Sequence, residues 1–142
     1  MGKKRIIKKG GSAEGGKGAA ANKAPKKKLS TGILHVQSTY NNVMVTLTDS
    51  SGGVVCWSTS GSLGFKGAKK GTPFAAAKVA ENVAEKANTM GIKDVDVVVK
   101  GVGAGRESAI RTFNSKGIEI KSIKDTTPVP HNGPKPPKPR RV

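Results

Sequence analysis

The stretch TPFAAAKVAENVAEKANTMGIKDVDVVVKGVGAG, Thr72 to Gly105, decides the fold. Thr72-Pro73 pairs an N-cap hydroxyl with a proline at the first helical position, where its missing N–H is no loss. From there Phe74, Ala77, Ala80, Val83, Ala84 and Ala87 share a face, while Lys78, Glu81, Glu85 and Lys86 lie mostly opposite. A face so rich in alanine lets the helix sit close to a sheet. Gly91 stands where a C′ residue ends the helix, with Ile92 next to pack back on it. VDVVVK (95–100) is apolar at nearly every position, which predicts a strand buried on both faces.

Upstream, GILHVQS leads to the turn Tyr40-Asn41-Asn42, and VMVTLTD follows with Val43, Val45 and Leu47 on one face and Met44, Thr46 and Thr48 on the other. Ser50-Ser51-Gly52-Gly53 turns the chain again, into VVCWST. Two such short connections imply an antiparallel meander of three strands. Downstream, the turn GVGAG (101–105) opens a short helix, RESAIRTFNSK, stopped by Gly117, and IEIKSIKD is the last strand. The order βββαβαβ predicts an α/β fold: a mixed five-stranded sheet with two helices, resembling the ribonuclease H-like architecture. The domain is expected over residues 32–127. A basic, flexible extension over 1–31 and a proline-rich basic tail over 128–142 flank it, neither with enough apolar residues for a core of its own.

Charge is sorted along the chain. The formal net charge is +17, of which residues 1–32 carry +9, residues 33–127 carry +4 and residues 128–142 carry +4. A chain of this kind repels itself unless a polyanion is present, so RNA is the expected partner. No apolar run approaches the roughly 20 residues that span a bilayer, and no membrane role is expected. The single cysteine, Cys56, excludes an internal disulfide and a cysteine-based zinc site. His35 and His131 have no ligand-like spacing, so neither metal nor cofactor is expected. The chain reads as cytoplasmic, with an organelle as the alternative although no clear transit peptide stands at its start.

Two segments could hold phosphate. GVGAG places glycines between strand and helix, where backbone N–H groups and the helix dipole favour an anion, and Arg106 and Arg111 follow. An RNA phosphate cradle, a plain tight turn and a nucleotide site all remain open here. Asp125 lies about 20 residues on, as a dinucleotide fingerprint asks, but the spacing is G-x-G-x-G with Arg106 after it, and no GK[ST] follows. In the loop 61–72, Lys66, Lys69 and Lys70 are spaced by glycines, which suits either a phosphate chain or a solvated mobile loop. Trp57, Phe74 and Phe113 fall on apparent core faces, leaving Tyr40 and Phe65 as stackers, so recognition is expected to run through backbone and shape. A nuclease reading needs converging carboxylates; Asp49, Asp94, Asp96 and Asp125 are not placed to converge, and no enzyme activity is expected.

TYNNVMVTLTDSSGGVVCWSTSGSLGFKGAKKGTPFAA, GIKDVDVVVKGVGAGRES and DTTPVPHNGPKPPKPRRV, in this order, resemble the bacterial form of small-subunit ribosomal protein eleven, from about Gly32 to Val142. The resemblance implies a structural role in translation on the platform of the small ribosomal subunit, bridging helices of its ribosomal RNA. It also implies a share in the cleft for the messenger's Shine-Dalgarno helix, contact with ribosomal proteins seven and eighteen, and proximity to initiation factor three. Carried onto matching positions, the implied RNA contacts are Asn41 and Asn42, then Lys66, Lys69 and Lys70. Gly103, Gly105, Arg106 and Arg111 follow, with His131, Asn132, Lys135, Lys138, Arg140 and Arg141 in the tail. The family commonly has Gly-Pro-Gly-Pro-Gly at the turn, whereas this chain has Val102 and Ala104, a change worth about 0.4–1 kcal/mol each through unfolded-state entropy. Asn132-Gly133 adds a chemical expectation, isoaspartate formation, because glycine leaves its backbone nitrogen free to reach the asparagine side-chain carbonyl.

Overall fold

The computed structural model describes residues 28–141, so most of the expected N-terminal extension lies outside the described residues. Five strands, β1 (Thr31–Ser38), β2 (Val43–Thr48), β3 (Val54–Thr59), β4 (Asp94–Lys100) and β5 (Glu119–Asp125), form one sheet in the order β3-β2-β1-β4-β5. β1, β2 and β3 pair antiparallel, and β1–β4 and β4–β5 pair parallel. Two helices, α1 (Pro73–Met90) and α2 (Arg106–Ser115), complete the expected α/β fold.

Local chemistry sets the element ends. The Thr72 hydroxyl accepts a hydrogen bond from the Ala75 N–H at 3.3 Å, so the residue before Pro73 is the N-cap. At the other end Gly91 takes φ 83°, and Ile92 N–H donates to the Ala87 carbonyl at 3.1 Å. In the β2–β3 turn one carboxylate oxygen of Asp49 accepts from Ser51 N–H, Ser51 hydroxyl and Gly53 N–H, at 3.1, 2.7 and 2.7 Å.

The core is a single layer between the sheet and both helices. Leu34, Val36, Val43, Val45, Leu47, Val95, Val97 and Val99 meet Val79, Val83, Ala84 and Phe113 there. Three expectations change. β4 is covered on one face only: Val95, Val97 and Val99 are buried, but Asp96 is exposed and Val98 half-buried on the other face. The cause is topological. β3–α1–β4 and β4–α2–β5 both join parallel strands and both advance in the same direction across the sheet, so crossovers of one hand put both helices on one side. Trp57 therefore stands on the open face, opposite Thr46 and 47% exposed, instead of in the core. Phe74 is also outside the core, 64% exposed, and Ala77 is half-buried. The buried stripe of α1 is rotated onto Ala75, Ala76 and Val79, a shift that the alanine run 75–77 cannot signal because its residues are alike.

Cys56 is buried, and burial pushes its thiol up to about 11 despite the opposing pull of Lys86. Phe113 is fully buried and belongs to the cluster that joins α2 to α1 and the sheet. Outside it, Lys116 Nζ meets Glu81 at 2.5 Å and Asn88 donates to the Lys116 carbonyl at 3.2 Å, tying the end of α2 to α1. Phe113→Ala should lower the unfolding free energy by about 3–5 kcal/mol; urea denaturation checks this, and a loss within about 1 kcal/mol would contradict the packing described.

Candidate nucleic-acid interface

The parallel strands β1, β4 and β5 end side by side, at Ser38, Lys100 and Asp125, and both helices begin at that end of the sheet. The Ser108 hydroxyl, in the first turn of α2, donates to the carbonyl of Pro73, the first residue of α1, at 2.8 Å. Two positive dipole ends thus lie together beyond the carboxyl ends of the strands, the position at which open α/β sheets take ligands. The opposite end carries acid: Asp94 and Glu119 open β4 and β5, and Asp49 follows β2.

Three loops close over the basic end by backbone contact. A Cβ on Gly71 would fall 2.2 Å from the Tyr40 carbonyl oxygen, and one on Gly103 would fall 2.3 Å from the Thr39 carbonyl oxygen and the Ser38 hydroxyl. Gly103 N–H already donates to the Ser38 carbonyl at 3.2 Å. The glycines at 103 and 105 are buried, and Val102 and Ala104 are exposed in their place. The GVGAG glycines therefore serve chain packing, and the N–H of Gly103 is spent within the fold.

Lys69 and Lys70 ride on a 3₁₀ turn, Gly67–Gly71, within the stretch 61–72 whose glycines predict only a loop. Their carbonyls accept from the Thr72 hydroxyl at 2.7 Å and the Ser60 hydroxyl at 2.8 Å, so the lysines stand on a hydrogen-bonded base. Lys66 and Lys69 are exposed and Lys70 half-buried. Asn41 is exposed at the neighbouring turn, while the Asn42 carbonyl accepts from Thr39 N–H at 2.8 Å. Tyr40, 78% exposed, is the aromatic presented here; Phe65 is instead set edge-on to Phe74 at 6.0 Å.

Arg106 has a different surrounding from the one its position in sequence implies. Its Nη1 donates to the Gly101 carbonyl at 2.8 Å and its Nη2 to Asp125. Asp125 also accepts from the Thr127 hydroxyl and N–H, at 2.6 and 2.9 Å, and that hydroxyl accepts from Gly101 N–H at 3.1 Å. This closed ring joins the glycine turn, the start of α2 and the root of the tail. It occupies the carboxylate that a dinucleotide reading would have given to a ribose. Thr127 is the member that sequence reading missed; an Asp followed two residues later by Thr was its signal. Arg111 lies apart, on the exposed side of α2, 3.7 Å from Glu107. His131, Asn132, Lys135, Lys138, Arg140 and Arg141 are exposed along an irregular tail, with Asn132 at φ 58°. Among the described residues no three His, Cys, Asp or Glu side chains are grouped to hold a metal ion, and no helix is long and apolar enough to cross a membrane.

The Thr127 hydroxyl and N–H, then Arg106, hold the Asp125 carboxyl down at about 2, against an ordinary value of 3.8. A depressed carboxylate stabilises the fold fully above its unfolded value and loses that contribution as pH falls toward the folded one. The ring should therefore give its full stabilisation above about pH 4 and lose it between about pH 4 and 2, while in the folded protein it opens only as pH approaches about 2; carbon NMR of the Asp125 carboxyl checks it, and titration at an ordinary value would refute the ring.

The comparisons with known proteins agree with one another. The family described as "Ribosomal protein S11" matches residues 32–141. The "Small ribosomal subunit protein uS11" of Solibacter usitatus (strain Ellin6076) is 51% identical over 127 residues, covering 89% of this chain and 94% of that protein. The "Small ribosomal subunit protein uS11c" of Cyanidioschyzon merolae (strain NIES-3377 / 10D) is 59% identical over 111 residues, covering 78% and 92%.

Proposed function

Because the chain belongs to the ribosomal protein S11 family, and so is a non-enzymatic structural constituent of the small ribosomal subunit, we propose that it bridges helices of the small-subunit ribosomal RNA through its basic end and its tails. One observation carries the reading: Lys66, Lys69, Lys70, two helix N-termini and the root of the basic tail converge at one end of the sheet, while the acids opening β4 and β5 lie at the other. RNA phosphates gain from that sorting, because each lysine engaged releases condensed counterions. Asn41 and Tyr40, exposed at the same end, supply polar and stacking contacts. Arg106 acts at one remove, holding the tail where it leaves the fold, and Gly103 and Gly105 keep the turn tight enough for the loops to meet. The tail residues His131, Asn132, Lys135, Lys138, Arg140 and Arg141 reach a second helix.

On this reading the protein sits on the platform, lines part of the Shine-Dalgarno cleft, neighbours ribosomal proteins seven and eighteen, and lies near initiation factor three. Its ribosome is of the bacterial type; the Solibacter usitatus relative, which aligns over nearly its whole length, supports a cytoplasmic placement, and the 59% identity to uS11c of Cyanidioschyzon merolae supports an organelle as the alternative.

Binding of purified protein to central-domain ribosomal RNA should fall steeply with salt. Lys69→Gln and Lys70→Gln should each flatten the slope of log K against log salt by about 0.7–0.9; filter binding across a salt series measures it, and an unchanged slope for both variants rules out the lysine contacts. Asn132, exposed and followed by Gly133, should form a succinimide with loss of ammonia and open mainly to isoaspartate. Peptide mapping of aged free protein that found only intact asparagine would rule this out.

A further inference from the structure

The helical layer is too narrow for its sheet. Five strands about 4.8 Å apart span roughly 24 Å, whereas two helices about 10 Å wide cover roughly 20 Å. α1 lies over β2 and β3 and α2 reaches β1, and the last strand, β5, is the least covered, with Ile120 half-buried and its other residues exposed. The deficit is visible side by side: Val97 is fully buried, and its neighbour in β5, Ile123, is 61% exposed. Two adjoining hollows of about 510 and 540 Å³ run between α2 and β5 and share Ile110 and Ile123 as walls. Together they make one groove along the strand, floored by Ile110, Ile120 and Ile123.

We infer that this groove is a docking surface for an amphipathic helix from a neighbouring protein of the assembled small subunit. Charge decides between protein and RNA. The charged residues lining the groove are Arg106, Arg111 and Lys121 against Glu107, Glu119 and Asp125, a balance of zero on a chain of net charge +17. Arg106 is bound to Asp125, Arg111 lies 3.7 Å from Glu107, and Lys121 is held by Asp94 at 3.0 Å. A phosphate finds no uncompensated cation here, and an aliphatic stripe finds three isoleucines. A helix fits better than an added strand, because Lys121 and Lys124 and a register shift beside Val95 and Asp96 guard the edge of β5. The seven residues of β5, about 23 Å long, match a helix of about 15 residues with aliphatic side chains three and four apart. Docked there, it would become the third helix of the layer.

The inference rests on membership of the small subunit and not on the RNA contacts proposed above. Cys56, the only cysteine, is buried, so in the full chain carrying Ile123→Cys a benzophenone maleimide labels only the new thiol. Labelled protein assembled into small subunits and irradiated should crosslink to one helical peptide of another subunit protein, at positions spaced by three or four residues. Ile123→Asp should still sediment with the subunit but retain that neighbour about tenfold less after a salt wash. If the Asp variant does not fold, the crosslink decides alone. Crosslinks to ribosomal RNA, to residues 1–27 of this chain, or to nothing would overturn the docking surface, while leaving the salt-dependent RNA binding of the unmodified protein untouched.

Discussion

The connections β3–α1–β4 and β4–α2–β5 advance in the same direction across the sheet, and crossovers of a single hand must then stack both helices on one face. Much of the molecule's character depends on that constraint. Both helices start at the carboxyl ends of the parallel strands, so their positive dipole ends are neighbours. Among the described residues no element covers the other sheet face, and Trp57 and Met44 are exposed on it. The layer covers β5 least, and Ile123 is left exposed. An interface, an open face and a groove follow from one rule about chain direction.

Within that frame, close backbone contact does the work that a charge count would assign to cations. The loop 60–72 reaches the β1–β2 turn only because Gly71 has no side chain to meet the Tyr40 carbonyl, and the turn 101–105 reaches Ser38 and Thr39 only through Gly103. These contacts hold Lys66, Lys69 and Lys70 at the end of the sheet from which the tail also leaves. Arg106, by contrast, is neutralised inside the chain by Asp125 and serves geometry. The net charge of the domain thus understates how unevenly its free charge is distributed.

Legibility in the sequence tracked whether a signal was local. Thr72-Pro73 and Gly91 marked both ends of α1, because caps depend on a few adjacent residues. The turns at 40–42 and 50–53 and the succession of all five strands along the chain were equally readable. Phe74 and Trp57 were not: each was placed by hydrophobicity on a buried face, and each lies outside because the face is chosen by how the element docks. The valines of β4 predicted two covered faces, and the topology supplies one. Among the candidate contacts, the lysines of the loop were legible from charge, whereas the ring of Arg106, Asp125, Thr127 and Gly101 joins residues up to 26 apart in sequence.

By itself the sequence determined the elements, their order, the sorting of charge toward the chain ends and the family to which those motifs belong. All of these reside in short-range pattern and composition. Only the tertiary structure decided which faces are covered, which glycines are needed for close approach and which cations are free. Each of those depends on the direction in which the chain crosses its own sheet, and no window of neighbouring residues contains that direction.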